Sequence, residues 1–147
     1  MGQQQLLLLV LATVIVGLAT VAGIQAFEEN QDQARQDALT QRALDIATQV
    51  KSVADKPQQF GGVNYGNNPG QSEFVAAANL DTDSNSDITA PGAGSGATCS
   101  INGNASGPKL SNLNITCETA NQSQGVKVTF DSEGEVSTNI DWDPSTQ

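Results

Sequence analysis

The first third of the chain carries two different helical patterns, one after the other. Residues 6–27 read LLLLVLATVIVGLATVAGIQAF, with no charge, no proline and Gln25 as the only strongly polar side chain. A membrane-spanning helix needs about 20 mostly apolar residues, so this run is long enough to cross a bilayer. Residues 28–55 turn polar but stay free of glycine and proline. In them Ala34, Ala38, Ala43, Ile46, Ala47, Val50 and Val53 recur at intervals of three and four, which draws one apolar stripe along a wet helix. Arg35, Asp37, Arg42, Asp45 and Lys51 lie off much of that stripe, and Asp32 with Arg35 and Lys51 with Asp55 are spaced to pair on the surface. Pro57 pushes the residue before it out of the α region and ends the pattern. One helix is predicted over residues 3–56, on the order of 80 Å long.

Beyond it the signals are shorter. Residues 61–71 (GGVNYGNNPGQ) and 81–96 read as loop. Residues 73–80 (EFVAAANL) suit either a strand or a helical turn. Residues 97–101 and 110–119 read as strands that carry Cys99 and Cys117. The clearest β pattern comes last. Val126, Val128 and Phe130 alternate with polar residues, Ser132, Glu133 and Gly134 make a turn, and Val136, Thr138, Ile140 and Trp142 alternate back. This hairpin, residues 126–142, has an apolar face that needs a partner, and the striped half of the helix is the one available. The expected fold is α+β: an apolar helix (1–27), its amphipathic continuation (28–56), and a small antiparallel β head (57–147) packed on the stripe.

Composition narrows the function. The chain has 147 residues, so one domain, and the head left after the helix is of the size at which a covalent staple helps. Net charge is −10, with 6 Lys plus Arg against 16 Asp plus Glu, which offers no phosphate-binding face and excludes nucleic-acid binding by charge. There is no histidine, the commonest general base and nitrogen metal ligand. With no GxSxG elbow and no CxxCH haem motif either, no catalytic constellation is expected and the chain does not read as an enzyme. Cys99 and Cys117, on neighbouring predicted strands, are expected to form the head's one disulfide, the head lying outside the cell; the alternative is two buried thiols in a reducing compartment.

Smaller signals remain. Asp81, Asp83, Asn85 and Asp87 place oxygen side chains at every second residue, as calcium loops do. However, Ser86 stands in place of the turn glycine, and Gly92 where a closing bidentate Glu would sit, so the segment reads as a solvated acidic loop before a calcium site. Asn104, Asn114 and Asn121 begin glycosylation triplets, which a chain rich in Asn, Ser and Thr also contains by chance. A secretory signal peptide and a myristoylation motif both fit poorly. No Lys or Arg precedes Arg35, the apolar run is long, and Leu6 occupies the position that myristoylation reserves for Ser or Thr.

An uncharged tip, an apolar helix, its amphipathic continuation and a small head with two cysteines together resemble a type IV pilin. The resemblance rests on residues 1–53 and on layout beyond them. It implies that Met1 is a methylated first residue exposed by a prepilin peptidase, whose leader would end before Met1 or leave Gly2 as its vestige. It implies that Gln5 stands where the family carries Glu. Gln5 accepts a hydrogen bond from a neighbouring ammonium without neutralising it. Many bacterial pilins have a helix-breaking proline, and Gly17 and Gly23 are the nearest substitutes here. The implied role is a structural subunit that inserts in the inner membrane, is handled by pilus assembly machinery, and polymerises with itself through its helices into an extracellular filament. The alternatives are a minor pilin or pseudopilin, and a singly anchored surface protein whose head binds a ligand. No cofactor is expected.

Overall fold

A computed structural model describes residues 2–83, 86–103, 105, 110, 113–119, 125–131 and 134–142, with the backbone alone at Asn67, Asp141 and Trp142. The chain divides into two compact units, residues 1–34 and 35–147. Helix α1 runs Gly2–Ala54 and passes through Gly17 and Gly23 without interruption. Neither glycine has an atom within 4 Å of the place a Cβ would occupy, so nothing crowds the helix there.

In the second unit the stripe on α1 is the floor of the core. Leu39, Ala43, Ile46, Ala47, Val50 and Val53 are all buried. Two members of the predicted stripe fall outside it: Ala34 is exposed and Ala38 only half-buried. Leu39, next to Ala38, is the largest apolar side chain that the helix commits to the core. The regular series of alanines had masked it.

The helix ends as Pro57 requires. Tyr65 Oη donates to the Ala54 carbonyl at 3.2 Å, filling one of the acceptors that a helix C-terminus leaves open. Burial, and then the nearby Asp55 carboxylate, hold the Tyr65 phenol above its usual value. A 3₁₀ turn, Gln58–Phe60, reverses the chain. Its exit depends on Gly62, whose N–H bonds the Pro57 carbonyl at 3.2 Å. A side chain at Gly62 would collide with the Lys56 carbonyl. A second 3₁₀ turn, Tyr65–Asn67, leads into helix α2, Gln71–Ala78. The EFVAAANL segment is therefore helical, with Phe74 buried. Glu73 accepts from the Gly70 N–H at 3.2 Å and the Ser72 hydroxyl at 2.9 Å. Those bonds, Ser72's foremost, hold its carboxyl below the usual range.

The sheet has five strands in the order β1-β2-β3-β4-β5, every neighbour antiparallel. The strands are β1 (Ile88–Thr89), β2 (Thr98–Asn102), β3 (Asn114–Glu118), β4 (Gly125–Phe130) and β5 (Val136–Trp142). Sequence reasoning took the whole of 81–96 for loop and missed β1, because two residues carry no period. The register lines apolar side chains into rows across the helix-facing side. Ile88, Cys99, Cys117 and Val126 form one row, and Ile101, Ile115, Val128 and Thr138 the next.

One expectation about the hairpin is corrected. Its β4 half is buried at Val126, Val128 and Phe130, but β5 is exposed from Val136 to Ile140. A helix about 10 Å across covers two or three strands spaced about 4.8 Å apart, and β5 is an edge strand. Longer polar side chains of α1 reach the rims of the sheet. Gln36 Nε2 donates to the Ile140 carbonyl at 3.0 Å and Lys51 Nζ to the Gly134 carbonyl at 2.9 Å. On the other flank Arg42 Nε donates to the Thr89 carbonyl at 3.0 Å. The β1–β2 loop also closes over this flank, where Gly94, with φ +106°, lies against the Arg35 side chain. Arg42 pairs with Asp45 at 2.8 Å.

Gly62→Ala should destabilise the head by about 1–3 kcal/mol, since a methyl there must displace backbone. Gly23→Ala, in open space on the helix, should leave head stability unchanged. Urea midpoints of the two full-length variants in detergent, followed by tyrosine and tryptophan fluorescence, check the contrast.

Candidate functional site

The apolar run of α1 presents large side chains in every direction. Leu6, Leu7, Leu8 and Leu9 are consecutive and successive residues turn by about 100°, so they point to all sides of the helix. From Leu6 to Phe27 the large apolar residues are all exposed. The hydroxyls within the run are turned back on the helix. Thr13 Oγ1 donates to the Val10 carbonyl at 2.8 Å and Thr20 Oγ1 to the Val16 carbonyl at 2.6 Å. At the polar end Asn30 does the same to Ala26 at 2.7 Å. The surface is thus apolar all round, with its hydroxyl donors already used. By length and composition this helix can cross a membrane. Gln5 lies in its first turns, exposed. Met1 lies outside the described residues.

The two cysteines meet. Cys99 and Cys117 are directly opposite on β2 and β3 and form a disulfide. Both are buried in the core, in the row between Ile88 and Val126. Two short strands are thereby tied at the centre of a head with few large residues.

The acidic loop is organised by its own backbone. Asp83 Oδ1 accepts from the Asp87 N–H at 3.0 Å, the Asp83 N–H donates to the Asp87 carbonyl at 2.8 Å, and the Ser86 N–H donates to the Asp83 carbonyl at 3.2 Å. The Asp81 carbonyl accepts from the Thr89 N–H at 3.2 Å. Asn85 lies outside the described residues. Among the described residues, no three His, Cys, Asp or Glu side chains converge as a metal site.

Of the glycosylation triplets, Asn104 and Asn121 lie outside the described residues. Asn114 opens β3, and its partner Thr116 is almost wholly buried on the outer face of the sheet. The Thr116 hydroxyl is bonded to Ser100 Oγ at 2.9 Å and to Asn102 Nδ2 at 2.9 Å. A triplet held in a strand with its hydroxyl engaged is a poor acceptor once the head has folded.

Among the described residues of the second unit, Leu44, Phe60, Val136 and Ile140 are large apolar side chains that stay exposed, which sequence reasoning did not anticipate. For Leu44 the signal was present, one position off the stripe. For Val136 the alternation gave the correct face but could not show that the helix stops short of it, and at Ile140 a register shift between β4 and β5 breaks the alternation.

Comparison with protein-family models, with curated proteins and with solved structures gave no match to this chain.

The disulfide closes a loop with a sequence separation of 18. Replacing both cysteines by alanine should therefore cost the head about 3 kcal/mol by the loop-entropy estimate. In the native chain, thiol labelling after denaturation without reductant should find no free thiol. Reductant applied to the folded chain should act only as fast as the head unfolds, because both sulfurs are buried.

Proposed function

We propose that this chain is a structural subunit of an extracellular filament of the type IV pilus kind, held in a membrane by its apolar helix before assembly and bundled through that helix afterwards. The observation that carries the reading is the exposure of residues 6–27 on every side of α1, beside a unit whose core begins only at Leu39. One sheet or one partner helix covers one face of such a cylinder. Only lipid, or several copies of the same helix, covers all of them. Burying the run removes roughly 1,500–2,000 Å² of apolar surface, on the order of 40 kcal/mol gross. Most of that is exchanged from lipid, so the net gain in assembly is much smaller and rests on close helix packing.

Further support comes from the helical backbone. α1 continues from the apolar run into the striped half with no non-helical linker between them. A ligand-binding head on a membrane anchor needs no such continuity, whereas a subunit that must hold its head in register with its neighbours does. The layout that resembles pilins, with Met1 and Gln5 at the tip and a disulfide in the head, points the same way. A repeated contact that does not close on itself then gives a helical filament.

Val14→Asp tests the reading. An unpaired carboxylate in the middle of a helix bundle is costly, so filaments recovered by shearing and seen by electron microscopy should fall at least a hundredfold. The head should keep its disulfide and its urea midpoint, because Val14 and the rest of residues 2–34 are exposed and stand outside its core. Filaments at wild-type abundance from Val14→Asp, or native protein recovered only as a detergent-bound monomer, would contradict the proposal.

A further inference from the structure

Both edges of the sheet are met by polar side chains of α1. At the β1 edge Arg42 Nε donates to the Thr89 carbonyl at 3.0 Å. The chain just before β1 covers the rest of that edge. The Thr89 N–H donates to the Asp81 carbonyl at 3.2 Å, and Thr82 bridges Ile88. β1 is also only two residues long. An edge so short and so covered is a poor template for another strand.

β5 is different, a strand of seven residues at the opposite edge. The direction of its backbone groups follows from β4. The Phe130 N–H bonds the Leu113 carbonyl, on the β3 side, whereas the Asp131 N–H bonds the Glu135 carbonyl. Val136, opposite Phe130, and Thr138, opposite Val128, therefore turn their N–H and C=O groups away from β4. Both residues are exposed. Residues 136–140 (VSTNI) contain no charge, no proline and no glycine, and Val136, Thr138 and Ile140 are β-branched. An open edge of that composition is one on which a second chain can add a strand.

Gln36 and Lys51 bracket this open stretch, one bonded to the Ile140 carbonyl at 3.0 Å and the other to the Gly134 carbonyl at 2.9 Å. An incoming strand must lie about 4.8 Å from β5 along its whole paired length. To pair beyond the few residues between the brackets it must displace one of these side chains, and Lys51 brings an ammonium to that edge. The register shift between β4 and β5 shortens the regular edge further. We propose that Gln36 and Lys51 guard the β5 edge and keep the heads of two copies from joining sheet to sheet through it. The three bonds from α1 to edge-strand carbonyls then form one device, with Arg42 at β1 and Gln36 and Lys51 at β5. The inference stands whether or not the chain builds filaments.

The full-length chain in detergent micelles tests this. Gln36→Ala/Lys51→Ala should associate through its heads, with a dimer fraction in sedimentation at least tenfold above that of the wild type at equal concentration. In the associated form the Val136 and Thr138 amides should exchange hydrogen at least tenfold more slowly, with the amides of β2 and β3 unchanged. Lys51→Met, which keeps the length of the side chain but removes its donor, should show the same effect in smaller measure. Adding Thr138→Lys to the double variant puts a charge back on the same edge and should return it to monomer. A double variant as monomeric as the wild type overturns the proposal. So does association that Thr138→Lys does not reverse, accompanied by a fall in the urea midpoint, because the two bonds would then serve only to hold the head folded.

Discussion

A helix laid on one sheet can bury only one face, and the head is built around that limit. Leu39, Ala43, Ile46, Ala47, Val50 and Val53 give α1 a single apolar face, and β2, β3 and β4 present matching rows of Ile, Val, Cys and Phe to it. What lies beyond the width of the helix is handled by polar reach. Arg42 ties one rim, Gln36 and Lys51 the other, each through a backbone carbonyl.

The same limit explains the contrast between the two parts of α1. Residues 6–27 have no single face to satisfy. Their threonines are bonded to their own helix, which leaves a cylinder that is apolar in all directions. Such a surface is stable in lipid and stable in a bundle, and the proposed life cycle uses the two environments in turn. The disulfide belongs to the other part. By tying β2 to β3 beneath the helix it holds the head together independently of whether the apolar run sits in lipid or in protein.

Acidity shapes how such chains can meet. A carboxylate-rich surface keeps free heads apart. Under the proposed assembly, bundling of the apolar helices must then bring together heads that their own charge holds apart.

Much of this was legible in the residues themselves. Charge-free length, a three-four stripe, an arresting proline and a period-two hairpin are local patterns, and each maps onto α1, β4 and β5 because backbone geometry fixes those periods. The pairing of Cys99 with Cys117 was legible too, from two cysteines on neighbouring strand candidates, and the register of β2 against β3 sets them directly opposite. The helical state of Gln71–Ala78 was open, because eight residues suit either period, and the folded chain makes it α2 with Phe74 buried. Tertiary structure alone determined which apolar residues are covered. Leu39 entered the core and Ala34 did not, while Val136 kept the predicted face and still remained exposed. Periodicity assigns a side chain to a face. Whether another element reaches that face depends on helix width, strand spacing and the order of the strands, and those belong to the assembled fold.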